Sequence, residues 1–106
     1  MIHCTFFTSD NKVQQIVVKG HADFAEHGSD IVCAGVSSLV QNLAIGLELM
    51  IEEPEIIIDG GDFELSLNYD DIEKAYYLTE AFRISVTLIQ DGYPDFVKVI
   101  ENGVVV

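Results

Sequence analysis

Apolar and polar residues alternate at the start of the chain, and this pattern predicts a β-hairpin. Residues 1–8 place Ile2, Cys4 and Phe6 on one face of a strand. A second strand is predicted over 13–19, because a turn sequence of Ser, Asp and Asn separates it from the first.

A long helix is predicted from about residue 31 to about residue 52. Its apolar residues recur at steps of three and four, which is typical of a helix with one buried face. They are Val32, Val36, Leu39, Val40, Leu43, Leu47 and Met50. Asp30 is of a favoured N-cap type, and Pro54 disfavours helical geometry at the residue before it. With Asp30 as cap, Cys33 is the third helical residue.

A second hairpin and a second helix are predicted in the other half of the chain. Segments 55–59 and 63–67 flank the turn sequence Asp-Gly-Gly-Asp at 59–62, a strong hairpin signal. The helix is predicted to begin at Asp70, with Glu73 completing a capping box. Its apolar stripe consists of Ile72, Ala75, Thr79, Phe82, Val86 and Ile89.

The last predicted element is a strand over 96–100, because Gly92 and Pro94 end the second helix. The element order ββαββαβ predicts the α+β class, with two helices packed on a mostly antiparallel or mixed sheet. At 106 residues the chain has the length of one domain, which we expect to span residues 1–106.

The charge balance limits the partners of the chain. It contains 18 Asp and Glu residues against 5 Lys and Arg, and its formal net charge is -13. No Lys or Arg occurs between His21 and Glu73. A phosphate backbone would be repelled, so direct binding to nucleic acid is not expected. A basic protein would be attracted to the same surface, although many acidic proteins are acidic only for solubility.

The sequence also predicts the cellular compartment. No apolar run approaches the ~20 residues of a membrane span, and the start lacks the basic region and apolar segment of a secretory signal. We therefore expect a cytoplasmic protein with no membrane partner, in which Cys4 and Cys33 stay reduced.

The residues around Cys33 have the composition that thiol chemistry requires. A thiolate is the attacking species, and both a nearby imidazolium and a helix N-terminus stabilise it. His21 lies a short loop before Cys33, and backbone N–H groups at the helix start are candidates to stabilise an oxyanion. Two questions stay open. Cys33 is either the nucleophile or an ordinary core cysteine. Asp30 either only caps the helix or also orients His21.

Other chemistry has little support in the sequence. No CxxC or HxxxH spacing predicts a metal site, and no glycine-rich loop lies between a strand and a helix to hold a phosphate. No metal and no cofactor are therefore expected.

Two segments, Gly-His-Ala at 20–22 and Asp-Ile-Val-Cys-Ala-Gly-Val-Ser at 30–37, resemble the signature of the bacterial ribosomal-processing cysteine proteases, the Prp family. The resemblance implies that His21 and Cys33 are the catalytic pair. It also implies supporting roles for the motif residues Gly20, Asp30 and Ser37. The specific motif covers residues 20–37, while length and element order resemble the family over the whole chain.

The resemblance also implies a function. A protease of this family removes an N-terminal extension from the precursor of a large-subunit ribosomal protein, so the expected partner is that peptide. The family further suggests a homodimer. The alternative from another class is a non-catalytic acidic module that binds basic ribosomal proteins, as the charge of the chain would allow.

Overall fold

In the computed structural model, which describes residues 1–26 and 29–106, six strands form one sheet and three helices accompany it. The strands are β1 Ile2–Ser9, β2 Lys12–Lys19, β3 Glu55–Asp59, β4 Asp62–Ser66, β5 Val97–Glu101 and β6 Val104–Val105. The helices are α1 Ile31–Met50, α2 Tyr69–Lys74 and α3 Tyr76–Gly92. His27, a second histidine between His21 and Cys33 in the sequence, lies outside the described residues.

The sheet is mixed, with the strand order β3-β4-β2-β1-β5-β6. β1 pairs antiparallel with β2 and parallel with β5, and the remaining pairs are antiparallel. The predicted alternation in β1 is confirmed, because Ile2, Cys4 and Phe6 are all buried. The α+β class and the mixed sheet are thus as predicted.

Helix α1 begins where predicted and ends slightly earlier. Asp30 is its N-cap, as expected, but the helix ends at Met50 rather than near residue 52. Met50 was predicted to belong to the apolar stripe and is 50% exposed, whereas the extended residue Ile51 is only 5% exposed. Ile51 takes the core position because the chain turns out of the helix there.

By length and composition alone, α1 is apolar enough to cross a membrane, contrary to the expectation that no run approaches such a length. Its side chains Val32, Val36, Leu43 and Leu47 are buried in the core of the domain. The central helix of a globular domain passes the same test of length and composition.

The prediction of the second helix is wrong in two details. Asn68, not Asp70, caps its start, because the Asn68 side chain accepts the N–H of Asp71. The helix is also divided at Ala75, whose φ of -90° and ψ of 0° leave the helical range. The described part of the chain therefore has three helices, and the short strand β6 follows the last predicted strand.

Candidate active site

A cavity of about 740 Å³ lies between the first half of α1 and one end of the sheet. The β3–β4 turn at Gly60 and Gly61 forms part of its rim, and Ile58 and Phe63 form part of its apolar wall. All five predicted site residues line it: Gly20, His21, Asp30, Cys33 and Ser37. The fold thus brings the two halves of the motif to one place.

The carboxylate of Asp30 joins the start of α1 to the preceding loop. Its Oδ1 accepts the N–H groups of Val32 and Cys33 at 3.0 and 2.9 Å. Its Oδ2 accepts those of Phe24 and Ala25 at 2.9 and 3.3 Å. These bonds, that of Cys33 foremost, hold the pKa of the Asp30 carboxyl below its usual range. Asp30 is thus both a helix cap and an anchor for residues 24 and 25.

The same bonds engage the N–H groups at the helix start, which are the predicted candidates for stabilising an oxyanion. The N–H groups of Val32 and Cys33 already donate to Asp30, and that of Ala34 donates to the Asp30 carbonyl. They are therefore already occupied by Asp30 in this structure. A different donor faces the sulfur: the backbone N–H of Ala22 lies 3.3 Å from the Sγ of Cys33.

His21 precedes this donor in the chain and lines the cavity with an exposed side chain. Among the residues that the structure describes, the imidazole forms no hydrogen bond to the sulfur; the Ala22 N–H makes that contact. Catalytic hydrogen bonds in unliganded enzymes are often long and shorten only with substrate bound.

Gly20 has a geometric reason to be glycine. Its φ is +95°, a backbone angle that residues other than glycine rarely adopt. A Cβ there would also come closer than 3.0 Å to the carbonyl oxygen of Met1. In addition, the Gly20 N–H donates to Asp62 Oδ1 at 3.3 Å, so the start of β4 helps to hold the residue before His21.

The loop between His21 and α1 is also held through an aromatic cluster that periodicity does not reveal. The Phe24 ring packs edge-on against Tyr93 and Phe96, with centroids 5.4 and 5.1 Å apart. Both partners come from the connection between α3 and β5. Phe24 and Asp62 are thus positioning groups without a sequence signal, since their partners are distant in the chain.

The two cysteines differ in environment, and both are free. Cys4 is fully buried in β1, and desolvation raises the pKa of its thiol to about 12, so it is a core residue. Cys33 is only partly buried and faces the cavity. Thiol chemistry at neutral pH is therefore expected at Cys33 and not at Cys4.

Ser37 lies one helical turn after Cys33 and lines the same cavity. The hydroxyl of the next residue, Ser38, donates to the Ala34 carbonyl one turn back. Within residues 1–26 and 29–106, no group of three His, Cys, Asp or Glu side chains is placed to hold a metal ion.

Known proteins resemble the chain in sequence and structure. The family model for the cysteine protease Prp matches residues 1–98. The ribosomal processing cysteine protease Prp of Bacillus subtilis is 33% identical over 111 residues, covering 96% of this chain and 98% of the relative. The corresponding Staphylococcus aureus protein is 32% identical over 94 residues, covering 84% and 87%.

Solved structures agree with this match. A crystal structure of the S. aureus protease Prp with a covalently linked product peptide superposes with a TM-score of 0.89 at 27% identity, covering 96% of this chain and all of that one. A structure of that protein with a substrate peptide gives 0.82 at 26% identity, with the same coverage.

Proposed function

This chain belongs to the Prp family of cysteine proteases, and we propose that it removes an N-terminal extension from the precursor of a large-subunit ribosomal protein. In this proposal Cys33 is the nucleophile and His21 is the acid–base group. The observation that carries the proposal is the contact of the Ala22 N–H with the Cys33 sulfur, because it brings the His21 loop to the thiol inside a cavity.

The chemistry begins with an ion pair of the Cys33 thiolate and the His21 imidazolium. The sulfur forms a bond to the scissile carbonyl carbon, and an electron pair moves to the carbonyl oxygen. We assign the Ala22 N–H as a donor to this oxygen, because it faces the sulfur that forms the new bond. The C–N bond then breaks, and His21 gives its proton to the leaving amine.

The remaining thioester is cleaved by water. Neutral His21 accepts a proton from the water as its oxygen attacks the acyl carbon, and the thiolate leaves. Release of the peptide acid restores the starting ion pair. Apart from the Ala22 N–H, which stabilises the oxyanion, the steps use only water and the side chains of Cys33 and His21.

The supporting residues act on the geometry of this pair. Gly20 permits the backbone turn that precedes His21, and Asp30 fixes both the start of α1 and the loop at Phe24. All contacts described for the Asp30 carboxylate are with backbone N–H groups, so we assign it a structural role. Ser37 contributes a hydroxyl to the surface that substrate contacts.

The test is incubation of a purified ribosomal protein precursor with the wild type, Cys33→Ala and Cys4→Ala. Mass spectrometry measures the shortened product, and thermal melting checks that each variant is folded. We expect Cys33→Ala to remain folded and cut nothing, because the sulfur is only partly buried. Cys4→Ala is the matched control and should still cleave, although its cavity lowers the melting temperature.

Two outcomes would contradict the proposal. Cleavage by Cys33→Ala above one tenth of the wild-type rate would show that another group is the nucleophile. Binding of the precursor by the wild type without any cleavage would favour the acidic binding module instead, as the net charge of -13 would attract a basic protein.

We further propose that the protein is a cytoplasmic homodimer. Large apolar side chains are exposed on the outer surfaces of both long helices, including Ile45 and Leu49 on α1 and Leu88 on α3. Exposed apolar surface of this kind favours association. Light scattering after size exclusion should give twice the monomer mass of 11.7 kDa, and a monomer would contradict the assignment. The cytoplasm is the compartment in which two free cysteines remain reduced.

A further inference from the structure

Asp23 is a charged residue of the site to which the proposed mechanism gives no role. It follows His21 by two positions, and its exposed side chain lines the same cavity as His21 and Cys33. The cavity residues with a titratable side chain are His21, Asp23, Asp30 and Cys33. Among the residues that the structure describes, no lysine or arginine lines this cavity. The His21 imidazolium is therefore the cation that Asp23 can attract there.

The other carboxylate of the cavity is already engaged. Each oxygen of Asp30 accepts two backbone N–H groups. Within residues 1–26 and 29–106, the Asp23 carboxylate makes no hydrogen bond and no ion pair. Of the two carboxylates, that of Asp23 is therefore the one whose oxygens are available to an imidazole.

Asp23 and His21 lie on the same side of the chain. Ala22 between them is buried, with 2% exposure, whereas both flanking side chains are exposed and line the cavity. Two residues of chain span at most about 7 Å, so the Cα atoms of His21 and Asp23 lie within that distance. The Debye length at physiological ionic strength is roughly 8 Å, so salt does not remove the attraction between charges at such a separation.

The backbone of Asp23 does not explain why this residue carries a side chain. Its φ is +56°, in the left-handed region that glycine adopts without cost. Its neighbours hold it there, because Ala22 is buried and the Phe24 N–H donates to Asp30. A residue kept in a disfavoured backbone conformation at a site points to a function of its side chain.

We propose that Asp23 is a positioning residue that stabilises the protonated His21 imidazole and orients it toward Cys33. The imidazolium is the cation of the ion pair from which the reaction begins, and a nearby carboxylate favours that charged form. Asp23 acts through His21 and takes no part in making or breaking bonds. This inference rests on the proposed peptidase function, to which it adds a third side chain.

The test compares the wild type with Asp23→Asn, Asp23→Gly and Asp10→Asn. Asparagine removes the charge at equal size and tolerates a positive φ, and glycine removes both the carboxylate and the backbone cost. Asp10→Asn is the matched control, because Asp10 is exposed and has a φ of 53°. It lies in the β1–β2 turn, at the opposite end of that hairpin from Gly20. Thermal melting shows whether each variant is folded.

Two measurements report on the imidazolium. Steady-state cleavage of the precursor gives kcat and KM, and mass spectrometry follows alkylation of Cys33 by iodoacetamide. We expect both Asp23 variants to lose about tenfold to 100-fold in kcat with little change in KM. Their alkylation should be slower at about pH 6 but normal at about pH 9, where a thiol ionises without a partner. Asp10→Asn should match the wild type in both measurements.

The outcomes separate this inference from the function on which it rests. If the wild type does not cleave the precursor, the proposed function fails, and the role of Asp23 fails with it. If the wild type cleaves but a folded Asp23 variant keeps its kcat, only the role of Asp23 is refuted. A loss in KM alone, with normal alkylation at both pH values, would assign Asp23 to substrate contact and refute it as well. Unfolding of both Asp23 variants, with Asp10→Asn folded, would show a structural residue and also refute the inference.

Discussion

Gly20→Ala is the substitution whose effect can best be worked out from the structure. Gly20 has a φ of +95°, and an added Cβ would approach the Met1 carbonyl oxygen more closely than 3.0 Å. The two costs are separate: one belongs to the backbone conformation and one to the steric overlap. Both act directly before His21, so the substitution should affect stability and activity together.

The magnitudes follow from these two costs. A residue with a side chain in a disfavoured backbone region costs about 1–3 kcal/mol, and overpacking against a backbone atom costs about 1–3 kcal/mol more. The sum lowers the melting temperature by roughly 10 °C or more for a domain of this size. Ordinary van der Waals contact begins at 3.4 Å, so the backbone must move on the order of 1 Å to relieve the overlap with the Met1 carbonyl oxygen. A displacement of this size next to His21 can reduce turnover ~100-fold.

Gly103→Ala is the matched control for the backbone cost alone. Gly103 has a φ of +84°, and a Cβ there would meet no atom within 4 Å. Thermal melting and precursor cleavage are measured on both variants. We expect Gly103→Ala to lose less stability and to retain its activity. Equal losses of stability in the two variants, or more than half of wild-type turnover in Gly20→Ala, would refute the steric argument.

Two further substitutions test the roles of His21 and Asp30. His21→Ala should abolish precursor cleavage. It should also slow alkylation of Cys33 at neutral pH, because no imidazolium then stabilises the thiolate. An unchanged alkylation rate would show that His21 is not the partner of Cys33. Asp30→Ser should lower the melting temperature but keep the cleavage rate within tenfold of wild type, because serine still caps the helix. A stable but inactive variant would assign Asp30 a role in orienting His21. Since the pKa of Asp30 is lowered in the fold, its stabilisation is present above about pH 4 and lost as pH falls through the lowered value. The acid side of the melting profile should therefore be flatter in Asp30→Ser than in the wild type.

Much of the fold could be predicted because local patterns and tertiary structure agree. The alternation in β1 and the stripe of α1 place Phe6 and Leu43 in the core, as expected from their periods alone. Where two local signals compete, the prediction was wrong. Asp70 and Asn68 are both good caps, and the structure uses Asn68. The division of the second helix was missed for a different reason, because no Gly or Pro marks the break at Ala75.

The sequence by itself determined the local features of the site. Asp30 caps α1, and Cys33 follows as the third helical residue, because capping and helical period are properties of neighbouring residues. Only the tertiary structure decided which backbone N–H group faces the Cys33 sulfur. Asp30 accepts the N–H groups of Val32 and Cys33, and the N–H that faces the sulfur is that of Ala22, which precedes the helix in the chain.

The same division holds for groups that are distant in the chain. Three contacts depend on how the sheet and helices come together. They are the hydrogen bond from Gly20 to Asp62, the packing of Phe24 on Phe96, and the parallel pairing of β1 with β5. Sequence periodicity specifies which face of an element is buried but carries no information about which other element covers it. That choice is made by packing the whole chain, and it sets the geometry around His21 and Cys33.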